Sequence, residues 1–371
     1  MPLYPDPIDA RAIPAQALLS WTASLVEKLG TPPDIAADVA EVLLAADRRG
    51  IASHGTARLP QYVALVEEGV MDPVTRPVLE RERAALGLFD ARNGWGHHAS
   101  RVAVDRAIER AADAGSYLAV VRGSNHYGIA GWYALRAAEQ GMIGISLTNS
   151  SPLVAPTRSR SPMLGTNPIA IAAPAGRFGS FCLDMATSTV PRGRIEVAAR
   201  RGESLPIGWA LDSDGRPATT PDAALAGSLL PLGGMEETGG YKGYGLAVAV
   251  DMLTGVLAGA AYGPSIASLF STHEGESNLG HAFLVIDPSA IDEAGAFEGR
   301  LEDFLGTLVA APTVPDARGR VLIHGEPEAE AERIAARRGV VIDREHHETL
   351  LALADRLGVP LPPAAPPTPL A

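Results

Sequence analysis

Cysteine is nearly absent from this 371-residue chain, and the one thiol, Cys182, excludes an intramolecular disulfide or any metal centre built on several cysteines. Set in Gly179-Ser-Phe-Cys-Leu-Asp184, it reads as inert packing in a buried strand. No run approaches the roughly 18 uncharged apolar residues of a membrane span, and Met1 to Ala12 carries Asp6, Asp9 and prolines instead of a basic, then apolar, signal. A cytoplasmic address is expected. Positive charge is the scarcer sign: 31 Lys and Arg against 43 Asp and Glu leave −12. That balance argues against nucleic acid or an anionic membrane as the main partner, so an anionic ligand must be met by a few placed arginines. H-E-x-x-H and G-x-S-x-G are missing, and the adjacent pairs His97-His98 and His346-His347 lack the i, i+4 spacing of a helical chelate, so no metal is expected.

What is present is an ordinary globular composition, 46% apolar and 20% charged, long enough for two domains or one large one. The first 70 residues read as helices. Pro14 suits a first turn, Thr31-Pro32-Pro33-Asp34 resembles a capping box, and Ile35, Val39, Val42 and Ala46 recur at helical spacing before a stop at Gly50. The next helix spans about 60–69, which leaves Ser53 to Arg58 in a helix–helix corner. From about residue 80 strands and helices alternate: strands at 84–89, 117–121, 142–148, 169–173, 181–185, 281–286 and 321–324, and helices at 99–114, 129–140, 246–261, 297–309, 327–338 and 345–357. The stretch 360–371 holds six prolines and reads as a disordered tail.

Gly94-Trp-Gly96-His-His-Ala99 fits the dinucleotide fingerprint G-x-G-x-x-A, but the following strand ends in Arg122, where a ribose-binding acid would stand. A Rossmann site is therefore not expected. Three polar stretches attract more attention. His54 and Arg58 are four apart, so a locally helical corner would present both on one face; Arg suits a carboxylate, and an imidazolium can protonate a carbonyl oxygen or imine nitrogen. His126, in Ser124-Asn125-His126-Tyr127-Gly128, follows a strand and precedes a helix. Gly165-Thr166-Asn167-Pro168 sets a hydroxyl and an amide on a turn, and Asp184 leaves a strand into Met185-Ala186-Thr187-Ser188. Each has a plainer reading as a cap, a turn or a surface pair. Lys242, among Gly240, Gly243 and Gly245, is placed for ribose or phosphate oxygens, or is a solvated lysine.

Taken together, these stretches resemble the malate/L-lactate dehydrogenase family, which is distinct from the Rossmann dehydrogenases. Also matching are Tyr62, Thr148-Asn149, Ile207 to Asp212, Gly239 to Gly245 and Gly325-Glu326, and the resemblance runs from about residue 15 to 358. It implies an α/β fold of the L-sulfolactate dehydrogenase type: a non-Rossmann, mixed-sheet NAD(P)-binding domain at 79–312, and a helical domain built from 1–78 and 313–358. It implies a homodimer with its sites near the interface, and reduction of a small 2-oxo acid or cyclic 2-imino acid by NADPH or NADH, with NADPH favoured. By motif, His54 is the expected proton donor, with Ser53 and Asp184 completing its relay and His126 competing for the role. Arg58 and Thr166 are expected to hold the substrate carboxylate. The cofactor is expected on His126, Tyr127, Gly128, Ile129 and Ala130, on Asp184, Met185, Ala186, Thr187 and Ser188, on Lys242-Gly243, and on Gly325-Glu326.

Three departures stand out. His324 replaces a proline before Gly325, while Thr157-Arg-Ser-Arg-Ser161 and Arg192-Gly193-Arg194 are more basic than the family pattern, so that one arginine pair is a candidate for a 2′-phosphate or a second acidic group of the substrate. Two alternatives stay open: a hydrolase or lyase using Ser53, His54 and Asp184, and a catalytically silent, NAD(P)-binding relative.

Overall fold

The computed structural model of the chain describes residues 9–268 and 275–368. Strand β1 (Arg11–Ile13) leads into three helices, α1 (Ala15–Glu27), α2 (Pro33–Arg48) and α3 (Leu59–Glu67). The apolar repeat of α2 buries Ile35, Val39, Leu43 and their neighbours, as the spacing predicts. Its capping box does not form. Pro32 occupies the cap, and the Thr31 hydroxyl instead accepts from Trp95 Nε1 at 3.1 Å, because the proline already sets the entry angle.

The alternating region begins with β2 (Val78–Arg83) and β3 (Leu86–Asp90), followed by α4 (Gly96–Ala114), β4 (Ser116–Ser124), α5 (Ala130–Ala138), β5 (Ile143–Thr148), β6 (Ile169–Pro174) and β7 (Ser180–Met185). A small lobe, α6 (Arg192–Arg201), β8 (Ala210–Leu211), α7 (Pro221–Ala226) and β9 (Ser228–Leu229), closes its own core around Val154, Ile195 and Leu229. Helix α8 (Gly240–Asp251) runs on into a π turn at Met252–Val256; then β10 (Leu279–Ile286) enters the main sheet, and α9 (Ala296–Val309), α10 (Glu326–Arg338), β11 (Val340–Ile342) and α11 (Arg344–Leu357) complete the chain.

The main sheet has seven strands in the order β2-β3-β4-β10-β5-β6-β7, and β3–β4 is its one parallel pair. It is a mixed sheet of the expected non-Rossmann kind. The α4 crossover does make a β-α-β unit, which is why the glycine fingerprint occurs there. A side chain at Gly96 would meet Asn125 O at 2.0 Å and His126 O at 2.7 Å, so the close approach belongs to the chain's own backbone and leaves no room for a pyrophosphate.

Helices α4 and α5 pack Ala103, Ala107, Tyr133 and Ala134 against Phe89, Tyr117, Val121 and Phe283 of the sheet. A second core joins the two chain ends: Ile13, Leu18, Trp21, Leu43 and Tyr62 pack with Val340, Ile342 and Leu350, and β1 pairs with β11. Each fully buried aliphatic side chain there contributes about 1.5–3 kcal/mol.

Two expectations need correction. Residues 321–324 form no strand, because Gly325 turns the chain at φ +90° and only His324 O reaches the sheet, accepting from Cys182 N at 3.0 Å. The proline-rich segment is not free as far as Thr368. Ala12 and Ala365 exchange backbone bonds of 2.7 and 3.1 Å, and Leu361 and Ala364 pack on the chain-end core; prolines hold the extended backbone while Ala365 supplies the N–H. Residues 369–371 lie outside the described region. Truncation after Val359 should lower unfolding free energy by about 1–3 kcal/mol in urea titrations; an unchanged midpoint would mean the segment adds nothing.

Candidate active site

After α2 the chain makes two separate 3-10 turns, Ala52–His54 and Thr56–Arg58, broken by Gly55, whose ψ is −148°. The corner is therefore not one helix. His54 and Arg58 are held together instead by a fold-back, in which Arg58 Nε donates to Ser53 O at 2.6 Å. Ser53 Oγ lies 2.9 Å from His54 Nδ1, and the His54 ring stacks on His126 with centroids 5.6 Å apart.

His126 is oriented from behind. Tyr62 Oη is 2.6 Å from its Nδ1, and Gly128 N–H donates to the same atom at 3.3 Å. A backbone N–H can only donate, so Nδ1 is an acceptor and the neutral ring carries its proton on Nε2. Burial, then the Arg58 charge, pushes His54 down to about 4; burial and the neighbouring imidazoles hold His126 well below its ordinary value. Both rings are neutral at physiological pH.

The expected cofactor segments meet at the end of β7. Asp184 Oδ2 accepts from Gly131 N at 2.7 Å in the first turn of α5, which ties it to the 126–130 loop. Cys182 pairs with His324, and Gly325 packs so tightly that a side chain there would stand 2.8 Å from Cys182 Cβ. Thr187 N and Oγ1 donate to Thr166 O at 2.8 and 3.0 Å, and Leu232 N donates to Thr187 O at 2.8 Å. Leu232 is in turn the strip of backbone on which Gly243 rests, where a Cβ would meet Leu232 O at 2.3 Å. Four segments distant in sequence thus border one strand end.

Not every expected role is matched by geometry. Among the described residues Asp184 makes no hydrogen bond to His54, and its charged neighbours are Arg49 and Glu328, so the His54–Asp184 relay is not formed within this chain. The carboxylate keeps access to solvent in its cleft, yet the protein around it strips enough water to raise it to about 6. Thr166 Oγ1 lies 3.5 Å from Ser150 Oγ. Tyr127 and Ile129 are buried: Tyr127 stacks on Tyr133 and His281, and Ile129 packs on Ala45 and Ala46. Their side chains face the core. Ser188 Oγ is spent on Val190 O, and Glu326 closes its own turn by accepting from Ile323 N and pairing with Arg320. Cys182 is buried and raised to about 12, in keeping with an inert thiol.

Three of the four arginines of the basic departures are engaged elsewhere: Arg158 with Glu236, Arg192 with Glu196, and Arg194 over the Trp209 ring. His98 bonds Asp38 at 2.7 Å, and His97 stands edge-on to Tyr62. Sequence reasoning missed Asp251, which accepts from Asn149 and Asn167 at 3.1 Å each and so locks the turns around Thr166 to α8. A lone carboxylate within the apolar run 246–261 was the available signal.

Two adjoining clefts, about 250 and 340 Å³, share Arg49 and Gly325. The first is lined by Gly131, Asp184, His324 and Glu328, the second by Arg48, Trp132 and Arg136. The Asp184 carboxylate of the first cleft fits the hydroxyls of a dinucleotide, and the arginines of the second fit its phosphates. Residues 13–351 match the malate/L-lactate dehydrogenase family. The chain belongs to that family. It is 42% identical over 349 residues to the malate dehydrogenase of Pyrococcus abyssi, covering 94% of this chain and 95% of that protein. The solved malate dehydrogenase of Pyrococcus horikoshii OT3 superposes with a TM-score of 0.89 at 37% identity, over 96% of this chain and 98% of that one. The delta1-piperideine-2-carboxylate reductase of Pseudomonas syringae superposes at 0.81 with 32% identity, over 92% and 99%. The chain is an NAD(P)-dependent oxidoreductase of this fold, and no helix among its described residues is long and apolar enough to cross a membrane.

The buried histidines set the acid limit of the fold. His97 and His281 are fully buried, and burial pushes each to about 3. Unfolded histidine titrates near 6.5, so between about pH 6.5 and 3 the unfolded chain binds more protons, and stability present above that window is lost as pH falls. Asp184, raised to about 6, works in the opposite sense below pH 6. The two histidines outweigh it, at up to about 1.4 kcal/mol per pH unit each. His97 has no partner for either ring nitrogen among the described residues. His97→Phe should therefore flatten the fall of urea midpoint between about pH 7 and 5; an unaltered slope would count against this account.

Proposed function

We propose that the chain reduces a small 2-oxo acid or cyclic 2-imino acid to the 2-hydroxy or 2-amino acid, reversibly, as a cytoplasmic homodimer that favours NADPH over NADH. The observation that carries the reading is the neutral His54–His126 stack beside Arg58 in the corner between α2 and α3. Arg58 takes the substrate carboxylate in two-point fashion, with Thr166 as a second contact. Burial, and then the guanidinium, depress His54 in the free protein. A carboxylate bound on Arg58 offsets that charge and sets a negative group beside the ring, which raises the proton affinity of His54; the imidazolium then passes its proton from Nε2 to the oxygen or nitrogen on C2. In the oxidative direction neutral His54 takes the proton back. Ser53 Oγ holds the ring through Nδ1. His126, with Nδ1 already occupied, stacks beneath it and is the competing donor.

Bound on 126–130, Asp184 to Ser188, Lys242-Gly243 and Gly325-Glu326, the nicotinamide cofactor supplies the hydride. NADPH is favoured on the rim of the adjoining cleft, where Arg48 has no ion pair among the described residues. The homodimer rests on helix α8 and its π turn, where Tyr241, Val248, Met252 and Val256 form a stripe, each 42–57% exposed. Such a stripe beside Lys242 calls for a covering surface, and a second copy would bring its own Lys242 to the interface.

The decisive assay follows NADPH and NADH oxidation against pyruvate, oxaloacetate, 2-oxoglutarate, ketopantoate and the cyclic five- and six-membered 2-imino acids. Turnover should be faster with NADPH and should fall about 10²–10⁴-fold in His54→Ala. Loss confined to His126→Ala would exchange the two roles, and no cofactor binding at all would end the reading. Light scattering should give twice 38.6 kDa, with Met252→Glu shifting the population toward monomer; a monomeric wild type would remove the dimer.

A further inference from the structure

We propose that Thr56 is a positioning residue for His54 and Arg58, and that through it helix α11, some 290 residues away, is part of the catalytic corner. The inference rests on the assignment of His54 and Arg58 to the active site.

Thr56 is fully buried between the two functional residues, separated from each by one position. Its backbone N–H and its hydroxyl both donate to Asp47 Oδ2, at 3.0 and 2.6 Å. A hydroxyl has one proton. With that proton given to Asp47, Thr56 Oγ1 accepts from His346 Nε2 at 3.0 Å, which makes His346 the donor. His346 is itself seated in the first turn of α11, where its backbone N–H donates to the capping Asp343 at 2.7 Å. Asp47 and His346 are each 8% exposed.

The second oxygen of Asp47 has no hydrogen-bond partner among the described residues and presses on Gly55; a Cβ there would stand 1.8 Å from it. Gly55 is the joint between the two 3-10 turns that carry His54 and Arg58. A buried carboxylate therefore lies under the joint, and Thr56 fixes it to both α2 and α11. Without the hydroxyl, Asp47 loses a charge-assisted bond in a dry site and the His346 donor loses its acceptor, and the peptide planes on either side of Gly55 are free to turn. A shift of about 1 Å at a reacting group can cost 10²-fold in rate.

The test uses the full-length protein. Thr56→Val keeps the shape and the backbone bond but removes both hydroxyl bonds; Thr56→Ser keeps all of them. We expect kcat to fall about 10- to 100-fold in the valine variant, KM for the nicotinamide cofactor to stay within about twofold, and the serine variant to return close to wild type. Histidine labelled with nitrogen-15 gives a readout independent of turnover: the His54 ring signals, assigned by His54→Gln, should move in Thr56→Val and return in Thr56→Ser. Should the valine variant fail to fold, His346→Gln and His346→Leu replace it, since the Gln amide retains a donor and Leu does not; the leucine variant should then show the same losses. A folded Thr56→Val or His346→Leu protein with wild-type kcat and unmoved His54 signals overturns the proposal. If the wild type oxidises no reduced nicotinamide, the functional reading fails, and the His54 signals alone decide the positioning role.

Discussion

Strand β7 is one of the two edges of the seven-stranded sheet, and an edge strand must place its outward backbone groups somewhere. Here a loop takes them. Cys182 N goes to His324, Thr187 pairs with Thr166 on one side and Leu232 on the other, and the Asp184 side chain draws in the first turn of α5. An eighth strand would have satisfied the same groups and buried Asp184. Leaving the edge to loops brings four segments to one strand end and opens a cleft beside Asp184. Glycine is required where these loops press closest: Gly325 lies against Cys182, and Gly243 against Leu232.

The second constraint is electrostatic. Two imidazoles share a half-buried site with an arginine, and burial, with the Arg58 charge beside His54, disfavours a proton on either ring. The site is thus poised to accept an anion before it accepts a proton. That ordering suits any substrate in which a carboxylate adjoins the carbon to be reduced, whether that carbon is doubly bonded to oxygen or to nitrogen. Malate dehydrogenases and a piperideine carboxylate reductase share the scaffold.

Much was legible because it depends on neighbours along the chain. The helical spacing of Ile35, Val39 and Val42, the turn at Gly115 with φ +81°, and the apolar strands all follow from local periodicity and backbone preference. Local reasoning failed where a distant partner outbid a near one. Thr31 gave its hydroxyl to Trp95 instead of a helix cap. The prolines after Val359 read as disorder because no local signal reports that Ala12, more than 350 residues earlier, offers a pairing edge. The spacing of His54 and Arg58 puts both on one face only if the corner is helical, and Gly55 breaks it into two turns where the buried Asp47 carboxylate lies.

By itself, then, the sequence determined most of the elements, the rejection of a Rossmann site and which side chains are candidates for the chemistry, since residue type and short-range spacing decide those. Only the tertiary structure decided which of these groups meet. It stacked His126 on His54, turned Asp184 toward Gly131, buried Tyr127 and Ile129, and carried His346 to Thr56. The reason is that hydrogen bonds and burial act through space, and the contacts that shape this site join residues tens to hundreds of positions apart, where no periodicity in the chain records them.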